Sequence, residues 1–413
     1  MVDKEFTRKS SGIIKSLSAK DFFNLNLLYM GITSGASYPL LIYLSLPSAN
    51  AFLSVLISIL LNLPLLIMYY YLTLKFPQNG GDYNYILKAF NQKIASIFGI
   101  TILLVYAFSQ PILSSLELSL GLDLKNVQFW MTEIVIIVGL LIVLNRQVFR
   151  YMLSLFTILQ LVQVGIILYV LLIAHSFSNL VNFSLRSAMS LAIIYSFSTF
   201  MFINSPSYLA GESKNAKKSF LWGYFGAYFI VGMLIALISL LSPSNIYFIA
   251  LINSVLHSYK VLIIINMIAS TTWYFSYLLI NQTIVSRLIQ QMSFDNILHS
   301  MFTNMKYVLF LLMLPIVTVL NFIENYLGIT VNFATDGLFF LILNYLIVSL
   351  SALKLSNVLT SDAKKIKIFS VLTIISIIFQ SAYYEIFLRF STQNIWIIFI
   401  FPVIALIYTM LKR

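Results

Sequence analysis

Midway along its first long apolar stretch the chain reads Thr33-Ser34-Gly35-Ala36-Ser37-Tyr38-Pro39. A membrane helix interrupted there leaves backbone N–H groups unpaired at the start of its second half, and the aligned peptide dipoles add positive potential. Such a spot attracts a carboxylate. The side chains of Thr33, Ser34, Gly35, Ala36 and Ser37 are small enough to let a ligand approach the backbone, which makes them candidate substrate-binding residues. The sixth apolar stretch is disturbed at Asn204-Ser205-Pro206-Ser207. Carbonyl groups freed around Phe200, Phe202, Ile203, Asn204 and Ser205, with the Asn204 amide, can receive a substrate ammonium, and Phe200 and Phe202 can wall the pocket. Gly and Pro also serve packing in membrane helices. Two interruptions at equivalent places of two five-helix units, however, point to a binding site near the bilayer midplane. In the third stretch Tyr106 and Gln110 lie one turn apart just before Pro111, placed either to shape a pocket or to hydrogen-bond between helices. In the eighth, Thr272 and Ser276 share a face by their i,i+4 spacing and are candidate ligands for Na⁺. Bonding to their own helix backbone is the alternative.

What is missing narrows the chemistry. Burying a charge in a bilayer costs at least ~2.5–3.5 kcal/mol, and Glu117, Glu133, Lys260, Asp336 and Glu385 all fall near span ends, where reaching water is expected. A polyamine or cationic amino acid wants a buried carboxylate, so the expected ligand is neutral. The absence of cysteine removes disulfides, thiolate metal sites and thiol catalysis. No G-x-x-x-x-G-K-[ST] loop is present to power a pump. The three histidines, His175, His257 and His299, are scattered over loops and helix ends, which speaks against an enzyme. No cofactor is expected beyond a coupling ion, Na⁺ or H⁺.

These residues must be positioned by membrane helices. With 60% hydrophobic and 9% charged residues in 413, the polar surface cannot cover soluble domains of this length. The sequence predicts an all-α polytopic membrane protein with about 12 transmembrane helices, near 24–46, 51–73, 94–117, 128–144, 151–174, 188–209, 219–241, 257–284, 306–324, 335–353, 367–387 and 394–411. Of the 25 Lys and Arg residues, all but Lys125, Arg186, Lys260 and Arg389 fall on one side, which places both termini in the cytoplasm. The net charge of +12 is then a topology signal directed at lipid headgroups, and no nucleic-acid partner is implied. The reading is a single transmembrane domain: a cytoplasmic segment 1–22, a first repeat 23–174, a second repeat 186–353 and two accessory helices in 367–411. The connections Phe76–Lys93 and Arg287–Met305 look amphipathic and can carry short interfacial helices.

Four motifs carry a resemblance. Lys75-Phe76-Pro77-Gln78-Asn79-Gly80-Gly81-Asp82-Tyr83-Asn84-Tyr85 closes the second span, Ala210-Gly211-Glu212-Ser213-Lys214-Asn215 follows the sixth, Ser286-Arg287-Leu288-Ile289-Gln290-Gln291-Met292 follows the eighth, and Asn145-Arg146 separates the fourth and fifth. Their types, order and positions resemble those of the amino acid–polyamine–organocation (APC) transporters. The pattern departs from that family at Tyr71, Phe202, Asn296 and His299, and the last four spans match in hydropathy alone. The resemblance implies two inverted five-helix repeats of the leucine-transporter type plus two C-terminal helices, alternating access, and transport of amino acids across the cell membrane, with neutral ones expected from the lack of buried charge. Some members carry a coupling lysine in the fifth span, and residues 151–174 contain none. The alternatives are a carrier of another small organic solute such as a polyamine, or a transporter-like sensor.

Overall fold

The computed structural model describes residues 15–32, 50–119, 128–173, 184–242, 260–327, 330–359 and 361–384, with the side chains of 107–119, 128, 131, 260, 263, 267, 270, 271, 274, 324–327 and 330–340 not among them. The first helix, α1 (Ala19–Met30), starts earlier than hydropathy suggests because Ser18 and Asp21 form a capping box: the Ser18 hydroxyl accepts from the Asp21 N–H, and the Asp21 carboxylate accepts from the Ser18 N–H at 2.7 Å. Arg150 grips the same carboxylate at 3.0 Å, tying the start of α1 to a later helix. α1 stops at Met30, where Gly31 turns to φ +69°, a conformation that suits a residue without Cβ. Thr33, Ser34, Gly35, Ala36 and Ser37 lie outside the described residues.

Helices α2 (Ala51–Lys75), α3 (Asp82–Ala89), α4 (Gln92–Ser119), α5 (Gln128–Leu144) and α6 (Arg146–Ile173) follow. The short α3 lies in the first of the long connections, with most of its residues buried against the rest of the bundle. Next comes α7 (Leu185–Tyr195), which widens into a π turn at Ser196–Phe200 and loses helical geometry before α8 (Ser205–Tyr208) resumes it. α9 (Ala216–Phe220) continues through the π turn Leu221–Gly226 into α10 (Ala227–Leu241). The longest helix is α11 (Lys260–Phe294), and beyond it lie α12 (Met305–Tyr307), α13 (Leu314–Leu327), α14 (Thr330–Ser356) and α15 (Ala363–Tyr383). Where they are described, the predicted spans through 367–387 are helical except at Gly31, at 201–204 and at Leu209, and 394–411 lies outside the described residues. α11 runs past its predicted end at 284 because Ser286, Arg287 and Gln291 turn inward onto protein partners, so their polarity does not mark a loop.

Among the described residues six helical stretches are long and apolar enough to cross a membrane. Their outward faces carry exposed side chains such as Leu60, Ile158, Phe229, Val319 and Ile375, a surface matched to lipid tails. α11 packs on α4, α5 and α6, while α2 packs on α7, α10 and α15. The sixth stretch, Leu185–Tyr208, is the most enclosed, 78% buried against 28–50% in the other five. The helix with the break therefore runs through the middle of the bundle.

One expectation about charge is corrected here. Glu133 does not reach water; it is buried and accepts hydrogen bonds from the Thr318 hydroxyl and, at 3.0 Å, from the Asn321 amide. Two donors on the neighbouring helix replace the water that snorkelling would have provided.

Candidate functional site

The break in the sixth span has a local cause. Met201, Phe202 and Ile203 cannot continue the π turn into α8, whose second residue is Pro206, a residue without an N–H and suited to a first helical turn. The Met201 carbonyl, freed by the break, accepts the Tyr345 hydroxyl. Asn204 and Ser205 are fully buried. The Ser205 hydroxyl donates to Asn26 Oδ1 at 3.1 Å, and the Asn26 amide donates to the Gly223 carbonyl at 2.7 Å, which fixes α8 against α1.

The end of α1 and the break face each other across an aromatic cluster. Tyr29, one residue before the last of α1, stacks on Tyr277 of α11 with centroids 5.1 Å apart and planes 9° apart. Phe202 meets both rings edge-on, at 5.5 Å from Tyr29 and 5.7 Å from Tyr277. The Tyr29 hydroxyl donates to the Tyr106 hydroxyl at 3.1 Å, and Tyr106 packs edge-on against Tyr208 at 6.3 Å. Of the sequence candidates, Tyr106, Phe202, Asn204 and Ser205 are thus brought together, with Ile203 buried beside them. Phe200 points elsewhere, onto Tyr228 of α10 at 5.4 Å. A π turn followed by a break rotates the two phenylalanines onto different sides. Gln110 lies in α4, and its side chain is not among those described.

Thr272 and Ser276 are buried on α11, and each hydroxyl donates to its own helix, to the Ala269 carbonyl at 2.6 Å and the Trp273 carbonyl at 2.7 Å. The Gln160 amide donates to the Ser276 hydroxyl at 3.4 Å. Hydroxyl lone pairs remain, but the partners present are those of bonding to the helix's own backbone and between helices.

Directly beneath the break lies a group the candidate list lacked. Asp82 at the start of α3 is wholly buried, and its carboxylate accepts four hydrogen bonds: from the Tyr69 hydroxyl at 2.7 Å, the Asn204 amide at 3.0 Å, the Tyr208 hydroxyl at 3.1 Å and the Asn344 amide. Burial pushes the Asp82 carboxyl above the usual carboxylate range, against the lowering pull of these donors. The available signal was an acidic residue immediately after Gly80-Gly81, together with Asn344, the one asparagine in the predicted span 335–353.

The four sequence motifs converge next to this node. Glu212, almost fully buried, pairs with Arg287 and lies 3.8 Å from Arg146, and it accepts from the Asn79 amide at 3.3 Å. Asn79 Oδ1 accepts the Gly211 N–H at 2.9 Å, and the Gly80 N–H reaches the Tyr208 carbonyl at 3.2 Å. The segment before α1 joins in, with Ser16 and Leu17 N–H groups both on the Glu212 carbonyl at 3.0 Å. Asp295 gathers Tyr83 and Gln291 at 3.1 and 3.0 Å. One buried polar floor therefore closes the bundle below the aromatic cluster.

A helical chain with this apolar exterior, and with a broken helix at its most enclosed point, is a helical membrane protein. No family model matches it. It is 38% identical over 419 residues to uncharacterized protein 399 of Sulfolobus islandicus rod-shaped virus 1, across 99% of this chain and 98% of that protein. The chain belongs to the family of that viral protein.

Proposed function

We propose that the protein is a secondary transporter of a small organic solute, with neutral α-amino acids as its substrate class. The observation that carries this is the meeting of the end of α1 at Gly31 with the break at Phe202–Asn204, across the cluster of Tyr29, Tyr106, Phe202 and Tyr277. Freed backbone groups beside an aromatic wall suit a ligand with a carboxylate, an ammonium and an apolar side chain. The motif floor beneath, where distant elements meet through Glu212 and Asp82, suits a gate on one side of that site. This reading keeps the APC-type plan: about 12 spans, two inverted repeats, two accessory helices, and both termini in the cytoplasm of a multi-pass cell-membrane protein.

A buried carboxylate is present after all, yet it does not favour a polyamine. Asp82 already receives four donors, about the number of lone-pair sites a carboxylate has, and so has none to offer a cationic solute. Competition binding on the purified protein tests the substrate class. Thermal stabilisation by apolar or aromatic amino acids, lost in Tyr277→Ala, is the expected result. Stabilisation by putrescine or arginine alone would refute it.

A further inference from the structure

We propose that Asp82 is a reversible proton-binding site, and that a proton taken up there is the coupling ion; the coupling role rests on the carrier reading, while the proton site does not. Among the described residues, the geometry is that of a charge held by neutral groups only. All four hydrogen-bond donors are tyrosine hydroxyls or asparagine amides, and the titratable side chains on which the Asp82 charge acts are likewise tyrosines: Tyr69 of α2, Tyr85 of α3, Tyr106 of α4, Tyr208 of α8, Tyr224 of the turn after α9, and Tyr345 of α14. Three donors crowd Oδ2 and one serves Oδ1. A buried carboxylate without a cationic partner relieves its desolvation by binding a proton.

The neutral form also has acceptors waiting. Asn204 Oδ1 and Asn344 Oδ1 are both buried without a hydrogen-bond partner, although their amide nitrogens serve Asp82. Turning either amide over puts its oxygen where the N–H₂ stood, so that a protonated Asp82 donates its O–H to that oxygen. The balance is one proton from solvent added to one carboxylate oxygen, with one accepted hydrogen bond exchanged for one donated. The carboxyl group itself has hydrogen-bond partners in both states. Sodium fits less well, since the Tyr69, Asn204 and Tyr208 donors already sit within 3.1 Å of the carboxylate and leave it no coordination space.

Protonation has a mechanical consequence. Hydrogen bonds to a charged acceptor are roughly twice as strong as neutral ones, and these four join α2, α3, α8, the break and α14. Loading the proton loosens the floor directly under the aromatic cluster, and releasing it tightens the floor again.

The test is infrared difference spectroscopy of the full-length protein in lipid nanodiscs across a pH titration. A protonated buried carboxyl band is expected to rise as pH falls, to be absent in Asp82→Asn and to survive in Glu133→Gln, which removes another of the buried carboxylates described above. If Asp82→Asn does not fold, Asn344→Leu serves instead. Losing one donor to the ionised form is expected to move the band's midpoint up by about one pH unit. A titration unchanged in both variants overturns the proton site, as does a band that responds to Na⁺ and not to pH. In proteoliposomes, uptake of a labelled amino-acid mixture is expected to respond to an imposed pH gradient in the wild type and to lose that response in Asp82→Asn. Gradient-insensitive wild-type uptake overturns the coupling role. A titrating band without any uptake counts against the carrier reading and leaves the proton site standing.

Discussion

Replacing Gly81 by alanine strikes the polar floor at its tightest point. Gly81 sits at φ +49°, and a Cβ built there comes within 2.7 Å of Ser207 Oγ and within 2.8 and 2.9 Å of two ring carbons of Tyr208. The serine hydroxyl can turn away, but the tyrosine ring is held by its own hydrogen bond to Asp82 and cannot swing without releasing it. Backbone strain at such a φ costs about 1–3 kcal/mol, and overpacking adds about 1–3 kcal/mol. The sum is about 2–6 kcal/mol of lost stability, large for any fold. Gly165→Ala in α6 is the matched control: its Cβ meets nothing within 4 Å. Alanine there is expected to be neutral or to stabilise by up to about 1 kcal/mol. Unfolding of both variants in lipid–detergent micelles, followed by intrinsic fluorescence, gives the comparison. If Gly81→Ala unfolds together with wild type and with Gly165→Ala, the close approach of α3 to α8 is wrong and the Asp82 node falls with it.

Other perturbations reach the neighbouring elements. Arg287→Ala leaves the buried Glu212 carboxylate without its nearest cation and is expected to cost ~3–5 kcal/mol; the double variant with Glu212→Gln recovers part of that loss in a mutant cycle, whereas Arg146→Ala, at a partly exposed partner 3.8 Å away, changes unfolding by about 1 kcal/mol or less. Tyr29→Phe removes only the hydroxyl bond to Tyr106, about 0.5–1.5 kcal/mol, and retains ligand-induced stabilisation, while Tyr29→Ala removes the stacked ring and abolishes it. Because burial raises the Asp82 proton affinity in the folded state, that group's contribution to stability is fully present below the ordinary carboxylate value near ~4 and is lost as pH rises through the folded value. Wild type is therefore expected to gain stability relative to Asp82→Asn on acidification from neutral pH, and a difference independent of pH would contradict this.

The helices are legible in the sequence because a membrane span is a local property, a run of apolar residues of the required length. The prediction 128–144 matches α5 residue for residue. The break at Asn204 is legible for a similar reason, since Pro206 acts within one turn. The motif residues are visible as motifs, but their meeting at Glu212 depends on chain segments far apart. Asp82 and Asn344 are separated by 262 positions, and no local pattern links them. Tyr29 and Tyr277 are hidden in the same way among abundant aromatics. Phe200 was grouped with Phe202 by proximity in sequence, and the π turn separated them. Polar residues in Ser286–Met292 read as a loop because hydropathy cannot tell a solvated face from one turned onto a buried partner.

The most direct test of the carrier reading is time-resolved uptake of a panel of labelled amino acids into proteoliposomes containing the purified full-length protein. Saturable accumulation of an apolar or aromatic amino acid is predicted, competed by its relatives and not by putrescine, and lost in Tyr277→Ala. Binding of that solute with no uptake above protein-free liposomes would contradict the account and identify a sensor in its place.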